Sequence, residues 1–545
     1  MDIMSFIFEY VEAVVSTQPT LLCVLLTLAL MAKLLQLFSF PEVPKVYLHQ
    51  SDSFEEQNME KLKTKVVGNC KTKVVGNCWN GNLMQKLVDR CSILHERYVP
   101  PLVGGRNGHF QTVTYSLFGR VTNFVLSNIR YFFSLDDGTT ITFDVFEPQK
   151  LHPDGDYTLA ICPGIANSSE SAYIRTLINY AQRAGYRCAV LNHLGALRTV
   201  KLTSNRIFTY GGTEEYGLMV TKLAEMYPGT RLFIVGFSMG ANIATKFLGE
   251  DPILTNRIIS GISVCQGYDA LKASPYLLAW SSLRRFYLYI MTENMKHLLR
   301  DHYDQAIGPH VKSGLIEDEQ QIWSATSLVS LDDCYTRKIA GFSSLEEFYE
   351  WCSCSHVMQN IKVPMCYLNA LDDPIVPEGL LELPRRIAES TPDTLFITTK
   401  HGGHLGFLEG YLAGPYEVTW LDRFIVDYCN AAIQTYDDER RHKASSTICR
   451  PVVEQRNSIL SSSRSVTSNI CDNSKNCHVT TPIILKEPEE NCPLASDEES
   501  LPDTDIVRSD DFPGDRIKTA KFESSKESFP LQHSYARIVN CSNRL

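Results

Sequence analysis

Leu232-Phe233-Ile234-Val235-Gly236-Phe237-Ser238-Met239-Gly240-Ala241-Asn242 is the stretch that decides how this chain is read. An apolar run stops at a Gly-x-Ser-x-Gly pentapeptide, and a helix-forming segment starts straight after it. Strand, tight turn and helix leave a serine at the apex. Such a turn forces the serine backbone into strain and tolerates only glycine at the flanking positions. The hydroxyl then stands above the sheet, where a base can take its proton. The bare pentapeptide also occurs in ordinary glycine-rich turns. The strand before it and the helix after it favour a nucleophile at Ser238.

The surrounding chain supports that reading. From about 95 to 436 the pattern is α/β. Tyr131–Phe146 reads as a hairpin turning at Asp136-Asp137-Gly138. Continuous apolar strands are predicted at Thr158–Cys162, Arg187–Leu191, Leu232–Phe237, Ile258–Val264, Met365–Asn369 and Thr394–Thr398, alternating with helical stretches. Runs of this kind belong to a mostly parallel sheet with helices on both faces. The last helix is expected at about Tyr416–Tyr428. Between Gln266 and Ile361 the alternation fails for longer than a crossover requires, so 267–361 reads as an inserted helical cap. It opens with Tyr276, Leu277, Leu278, Trp280, Leu283, Phe286, Tyr287, Tyr289, Ile290 and Met291 at helical spacing. These residues suit packing onto the main domain, and they equally suit a roof over an acyl-chain pocket.

A serine nucleophile needs a base, a group that orients the base, and donors for the developing oxyanion. Downstream of Ser238 an apolar strand ends in Asp372-Asp373-Pro374-Ile375-Val376-Pro377, and the next strand is followed by His401-Gly402-Gly403-His404. A carboxylate at a strand's carboxyl end faces the site crevice. Asp373 is preferred to Asp372, because the prolines after it stiffen its loop. His404 is preferred to His401, because two glycines let it reach inward. The expected roles are His404 as base and then acid, and Asp373 as its orienting partner. Oxyanion donors are expected at the backbone N–H of Met239 and of Ile165, the latter in Cys162-Pro163-Gly164-Ile165-Ala166-Asn167. Pro163 has no N–H to give. Asn167-Ser168-Ser169 is formally a glycosylation sequon, expected to be unused because a glycan would crowd the pocket.

Composition narrows the rest. The 545 residues are 44% hydrophobic, which is enough for a large core plus appendages. Net charge is -10 with no basic stripe, which argues against nucleic acid as a partner. The 17 cysteines include no C-x-x-C pair, so neither a structural zinc nor a disulfide framework is expected, and no metal or cofactor is called for. Most thiols are expected to be reduced and buried, Cys162 and Cys188 within strands.

The ends differ from the middle. Residues 1–45 carry an apolar run at about 20–40, long enough for a membrane anchor, with Lys33 near its end. Acidic residues before the run and Lys45 after it put the large domain in the cytosol by the positive-inside rule. Residues 46–94 form a linker in which Lys-Thr-Lys-Val-Val-Gly-Asn-Cys occurs twice, at 63–70 and 71–78. No chemistry attaches to that repeat. Residues 437–545 are rich in Ser, Asn, Glu, Lys and Asp without periodicity and read as a disordered tail.

Taken with Tyr98-Val99-Pro100-Pro101-Leu102, Gly108-His109-Phe110-Gln111-Thr112, Asn192-His193-Leu194-Gly195 and Phe208-Thr209-Tyr210-Gly211, these motifs resemble the membrane-anchored α/β-hydrolase domain proteins over about residues 90–436. The resemblance implies the α/β-hydrolase fold, hydrolysis of monoacylglycerols and related lipid esters, and a triad on Ser238, Asp373 and His404. It also implies a single-pass N-terminal anchor with the hydrolase beyond the membrane, which leaves the side of the membrane open. The duplicated octapeptide and the long tail depart from the family pattern. Two competing readings keep the fold. One is an acyltransferase using the same triad, since the alcohol receiving the acyl group leaves no motif. The other is a catalytically silent lipid or steroid receptor or scaffold.

Overall fold

The computed structural model describes residues 19–49, 83–117, 128–250, 254–279, 283–412, 414–448 and 518–521. The duplicated octapeptide and most of the expected disordered tail lie outside the described residues. The centre is a sheet in the order β1-β9-β8-β7-β6-β4-β5-β3-β2-β10. Its strands are β1 Lys45–Leu48, β2 Asn128–Ser134, β3 Thr140–Phe146, β4 Tyr157–Cys162, β5 Arg187–Asn192, β6 Arg231–Phe237, β7 Ile258–Val264, β8 Met365–Ala370, β9 Thr394–Thr399 and β10 Lys518–Lys521. Strands β4 to β9 run parallel to their neighbours among themselves. Antiparallel β3 and β1 flank them on the two sides; α1 (Pro19–Leu34), α2 (Leu83–Arg90) and α3 (Gly108–Leu117) precede β2 in the chain.

The parallel strands are buried along nearly their whole length because both faces are covered, which is why they read as unbroken apolar runs. Alternate residues serve opposite faces. Leu159, Ile161, Phe233 and Val235 meet Ile174 and Leu177 of α4 (Ala172–Ala184) and Phe424 of the last helix. Ala160 and Ile234 meet Tyr216 and Met219 of α5 (Glu214–Met226) and Ile243 of α6 (Met239–Gly249). The β2–β3 hairpin turns as expected. Gly138 takes φ 82°, and the Thr139 N–H donates to Asp137 Oδ1 at 2.8 Å.

The structure departs from expectation in several places. The N-terminal apolar run forms α1, Pro19–Leu34 among the described residues. Gln36 enters the left-handed region (φ 50°), and the bonds Leu37 N–H to Ala32 O (3.0 Å) and Gln36 N–H to Lys33 O (3.1 Å) close the helix. Among the described residues no helix is long and apolar enough to cross a membrane. The last helix begins later than expected and runs from Trp420 to Ile448. Thr419 and Asp422 cap it reciprocally, the Thr419 N–H on Asp422 Oδ2 at 2.9 Å and the Asp422 N–H on Thr419 Oγ1 at 3.1 Å. Residues 437–448 of the expected tail thus belong to a helix. Finally, β1 and β10 were not expected. β1 is too short to show alternation, and β10 is a polar segment paired parallel to β2.

The cap lies between β7 and β8. It includes α7 (Ala270–Leu278), α8 (Arg284–Asp301) and α9 (Leu345–Cys352). Leu288, Met295, Leu298 and Leu299 of α8 form a separate apolar cluster with Leu194, Phe208, Leu331 and Tyr335. Phe286, Tyr289 and Ile290 on the same helix remain exposed.

Candidate active site

Ser238 joins β6 to α6 with φ 53° and ψ −118°, a conformation sparsely populated by any residue with a side chain. The neighbouring glycines are required by close approach. A Cβ on Gly240 would lie 2.2 Å from the carbonyl oxygens of Cys162 and Pro163, and one on Gly236 would lie 2.4 Å from the Ala241 Cα. Asn242, on the helix behind the serine, donates to the carbonyls of Tyr210 (2.8 Å) and Cys352 (2.7 Å) and accepts the Cys354 N–H at 3.0 Å. It fastens α6 to the end of the cap.

Because β6, β8 and β9 share one sheet, the loops at their carboxyl ends converge. His404 Nε2 lies 2.8 Å from Ser238 Oγ, and His404 Nδ1 lies 2.8 Å from Asp373 Oδ2. Asp373 is 4% exposed, and its other oxygen accepts the N–H groups of Ile375 (2.7 Å) and Val376 (2.9 Å). Those amides come from the Pro-Ile-Val-Pro turn, so the same stiff loop aims the carboxylate. With a carboxylate at Nδ1, the imidazole carries its hydrogen there and leaves Nε2 free to accept the serine proton. Gly403 at φ 56° turns the chain inward, and the His404 N–H is held by Thr112 Oγ1 at 2.9 Å.

The other two candidates are placed nearby without joining this line. Asp372 accepts the Gly403 N–H at 2.8 Å, and His401 faces Asp372 Oδ2 at 3.7 Å. Each weighed alternative therefore occupies the layer behind its preferred neighbour.

The loop after β4 runs alongside the serine. Among the described residues neither the Ile165 nor the Met239 N–H donates to a protein acceptor, as oxyanion donors require. Three side chains shape this loop. Tyr173 Oη accepts the Gly164 N–H at 2.8 Å, His193 Nε2 donates to Pro163 O at 2.9 Å, and Asn167 Nδ2 donates to Ile165 O at 2.8 Å. Burial pushes His193 down to about 4, so the ring is neutral at physiological pH and serves as a donor without bringing charge. Ala166 takes φ 56°, and this bonding sustains that strain. Asn167, the sequon residue, also accepts from Ser171 Oγ at 2.7 Å, so its amide is already committed to the loop. Sequence reasoning missed Tyr173 and His193 as loop supports. His193 lies in a recognised motif, whereas nothing marks Tyr173. Ile165, Ala166 and Met239 pack against the cap's apolar cluster.

Among the described residues one group places His, Cys or carboxylate ligand atoms within 4.8 Å of each other: Cys265, Asp373 and His404. Two of these are committed to one another. Burial pushes the Cys265 thiol well up, so it is a neutral neighbour. The described cysteines are all free, and all but Cys23 and Cys334 are buried.

Known proteins share this pattern. The family profile described as "alpha/beta hydrolase fold" matches residues 157–411. A Danio rerio protein named monoacylglycerol lipase ABHD2 is 46% identical over 349 residues, covering 64% of this chain and 83% of its own length. The Homo sapiens protein of that name is 45% identical over 359 residues, covering 65% and 84%. The Drosophila melanogaster abhydrolase domain-containing protein 2 is 46% identical over 346 residues, covering 63% and 87%. The chain belongs to the α/β hydrolase fold family, in the branch that holds these relatives.

Proposed function

We propose that this chain hydrolyses carboxylic esters of lipids, monoacylglycerols foremost, through an acyl intermediate on Ser238, while held at a membrane by its N-terminal segment. The observation that carries the reading is the hydrogen-bonded line Ser238–His404–Asp373 beneath an apolar cap, in a chain 45–46% identical to monoacylglycerol lipases.

In this mechanism Ser238 Oγ attacks the ester carbonyl as His404 Nε2 takes its proton. The negative charge that develops on the carbonyl oxygen meets the N–H groups of Met239 and Ile165. Asp373 stabilises the imidazolium, which then protonates the departing glycerol oxygen. Water enters in place of glycerol, gives a proton to His404 and attacks the acyl carbon, releasing the fatty acid and restoring the serine. The acyl chain is accommodated by the apolar surface shared by Ile165, Met239, Leu277, Leu278 and Met291. Membrane attachment is supported by α1, where Leu25, Leu26, Leu28 and Leu30 are each more than half exposed, so that water faces a continuous apolar surface.

The test is turnover by the purified full chain of a panel of mono-, di- and triacylglycerols and phospholipids, with Ser238→Ala beside it. Monoacylglycerols are expected to turn over fastest, and the variant to be silent. Equal rates in both proteins would reject the assignment. Adding an acceptor alcohol separates hydrolysis from acyl transfer by its product. Flotation of the full chain with liposomes tests membrane attachment, with the protein expected in the floating fraction.

A further inference from the structure

The residues flanking the triad form an array of their own. Asp372 Oδ1 accepts the Gly403 N–H at 2.8 Å, one residue before His404. Its buried Oδ2 faces His401 Nδ1 at 3.7 Å, and neither atom has a nearer polar partner among the described residues. On the other side of the ring, His401 Nε2 lies 3.3 Å from Ser39 Oγ. His401 itself is 2% exposed.

Ser39 belongs to the stem between α1 and β1, and that stem is fastened to the same region at three further points. Asn107 Nδ2 donates to Leu34 O at 2.8 Å, Arg106 donates to Leu37 O, and Lys400 pairs with Glu42. Arg106 and Asn107 lead directly into the helix Gly108–Leu117, which carries Thr112, the acceptor of the His404 N–H. The stem therefore bonds to both segments that hold His404.

The catalytic loop needs such holding. Gly402 (φ 150°), Gly403 (56°), Leu405 (65°) and Phe407 (41°) all adopt positive φ. Glycine reaches such values freely, but at Leu405 and Phe407 they persist only where the surroundings over-determine them. Asp373 fixes the imidazole ring, but within this loop Asp372 is the side chain that fixes the Gly403 main chain. We infer that Ser39, His401 and Asp372 are positioning residues for the same ester hydrolysis, and that through them the N-terminal stem sets the placement of His404. This deepens the reading above and rests on Ser238 being activated by His404. The consequence is that the stem does more than tether the enzyme to its substrate: it completes the loop that carries the base.

The experiment uses the full chain and a soluble short-chain ester, p-nitrophenyl butyrate, so that delivery from a membrane plays no part. Ser39→Ala, Ser39→Thr, His401→Gln and the Ser39→Ala/His401→Gln double variant are compared for kcat, KM and hydrogen exchange of the 399–408 segment. His401→Gln should lower kcat by roughly 10- to 100-fold with KM within about twofold, as displacement of a base by a fraction of an ångström to 1 Å does. Ser39→Ala should cost about fivefold, the worth of one ordinary hydrogen bond, and Ser39→Thr should recover most of it. The double variant should be no slower than His401→Gln alone, because the two residues act in series. Exchange should quicken in 399–408 and nowhere else. Unchanged kcat in an active enzyme, effects that multiply in the double variant, or a change confined to KM would overturn the inference. If the wild-type chain cleaves no ester, the hydrolase reading fails by itself. The exchange arm still decides the array: quickened loop exchange in both single variants supports it, and unchanged exchange overturns it.

Discussion

Gly240→Ala is a one-methyl perturbation whose effect the structure sizes. The added Cβ would lie 2.2 Å from the carbonyl oxygens of both Cys162 and Pro163. Carbon–oxygen contacts settle at about 3.3 Å or more, so helix and strand end must part by about 1 Å. What moves is the root of the oxyanion loop, since Pro163 O is the acceptor for His193 and Ile165 follows two residues later. The fold has other support. Overpacking by one methyl costs about 1–3 kcal/mol, which a domain of this size should survive. Catalysis has less tolerance. A donor or nucleophile misplaced by about 1 Å costs on the order of 100-fold, equivalent to about 2.7 kcal/mol of transition-state stabilisation. The expected result is a folded protein whose kcat/KM on a soluble ester falls about 100-fold, with a matching fall in the rate of fluorophosphonate labelling. Calorimetry and labelling kinetics on one preparation would show both. A variant with native stability and native labelling rate would refute the claim that Gly240 is required by close approach to the β4 end.

Three further outcomes follow from the same geometry. Asp373→Asn should leave the fold intact and lower kcat by about 10⁴-fold, because the amide cannot hold the imidazole tautomer or its cation, and steady-state turnover checks it. Tyr173→Phe leaves the buried Gly164 N–H without its acceptor, which should cost about 1–3 kcal/mol in denaturant unfolding and lower kcat while Ser238 remains labelled. His193, which burial depresses from 6.5 to about 4, contributes stability that is full above pH 6.5 and lost as pH falls through about 4. The loss amounts to about 3 kcal/mol at about 1.4 kcal/mol per unit. His193→Gln keeps an amide donor for Pro163 O and should remove that part of the acid dependence, as unfolding curves at pH 7 and pH 4 would show.

The parallel strands were legible because both of their faces are covered, which leaves an apolar run that needs no knowledge of neighbours. Boundaries fell within a residue or so, as at Ile258–Val264 and Thr394–Thr399. The hairpin was legible because Gly138 must take positive φ. That Ser238, Asp373 and His404 meet was legible because each residue follows a strand and each loop has its own signal, two glycines or two prolines. Less legible were features made by distant contacts. The end of α1 at Leu34 is set by Gln36 entering the left-handed region, which no residue type there announces. The start of the last helix is set by Thr419 and Asp422, a capping pair interleaved with apolar residues that already read as helix. Tyr173 and His193 gain their places only once β4, β5 and α4 are assembled. Asp372 and His401 were weighed as rivals of the residues they stand behind, and sequence order has no means of assigning two neighbours to two layers.

The central claim is that Ser238 carries the acyl group of a lipid ester. Rapid mixing of the full chain with excess monoacylglycerol, acid quenching within the first turnovers and mass mapping of the peptide containing Gly236–Gly240 addresses it directly. The account predicts a peptide heavier by the acyl chain, located on Ser238, present in wild type and accumulating further where deacylation is slowed. Steady glycerol release with that peptide unmodified, or with the acyl mass on another residue, would contradict it.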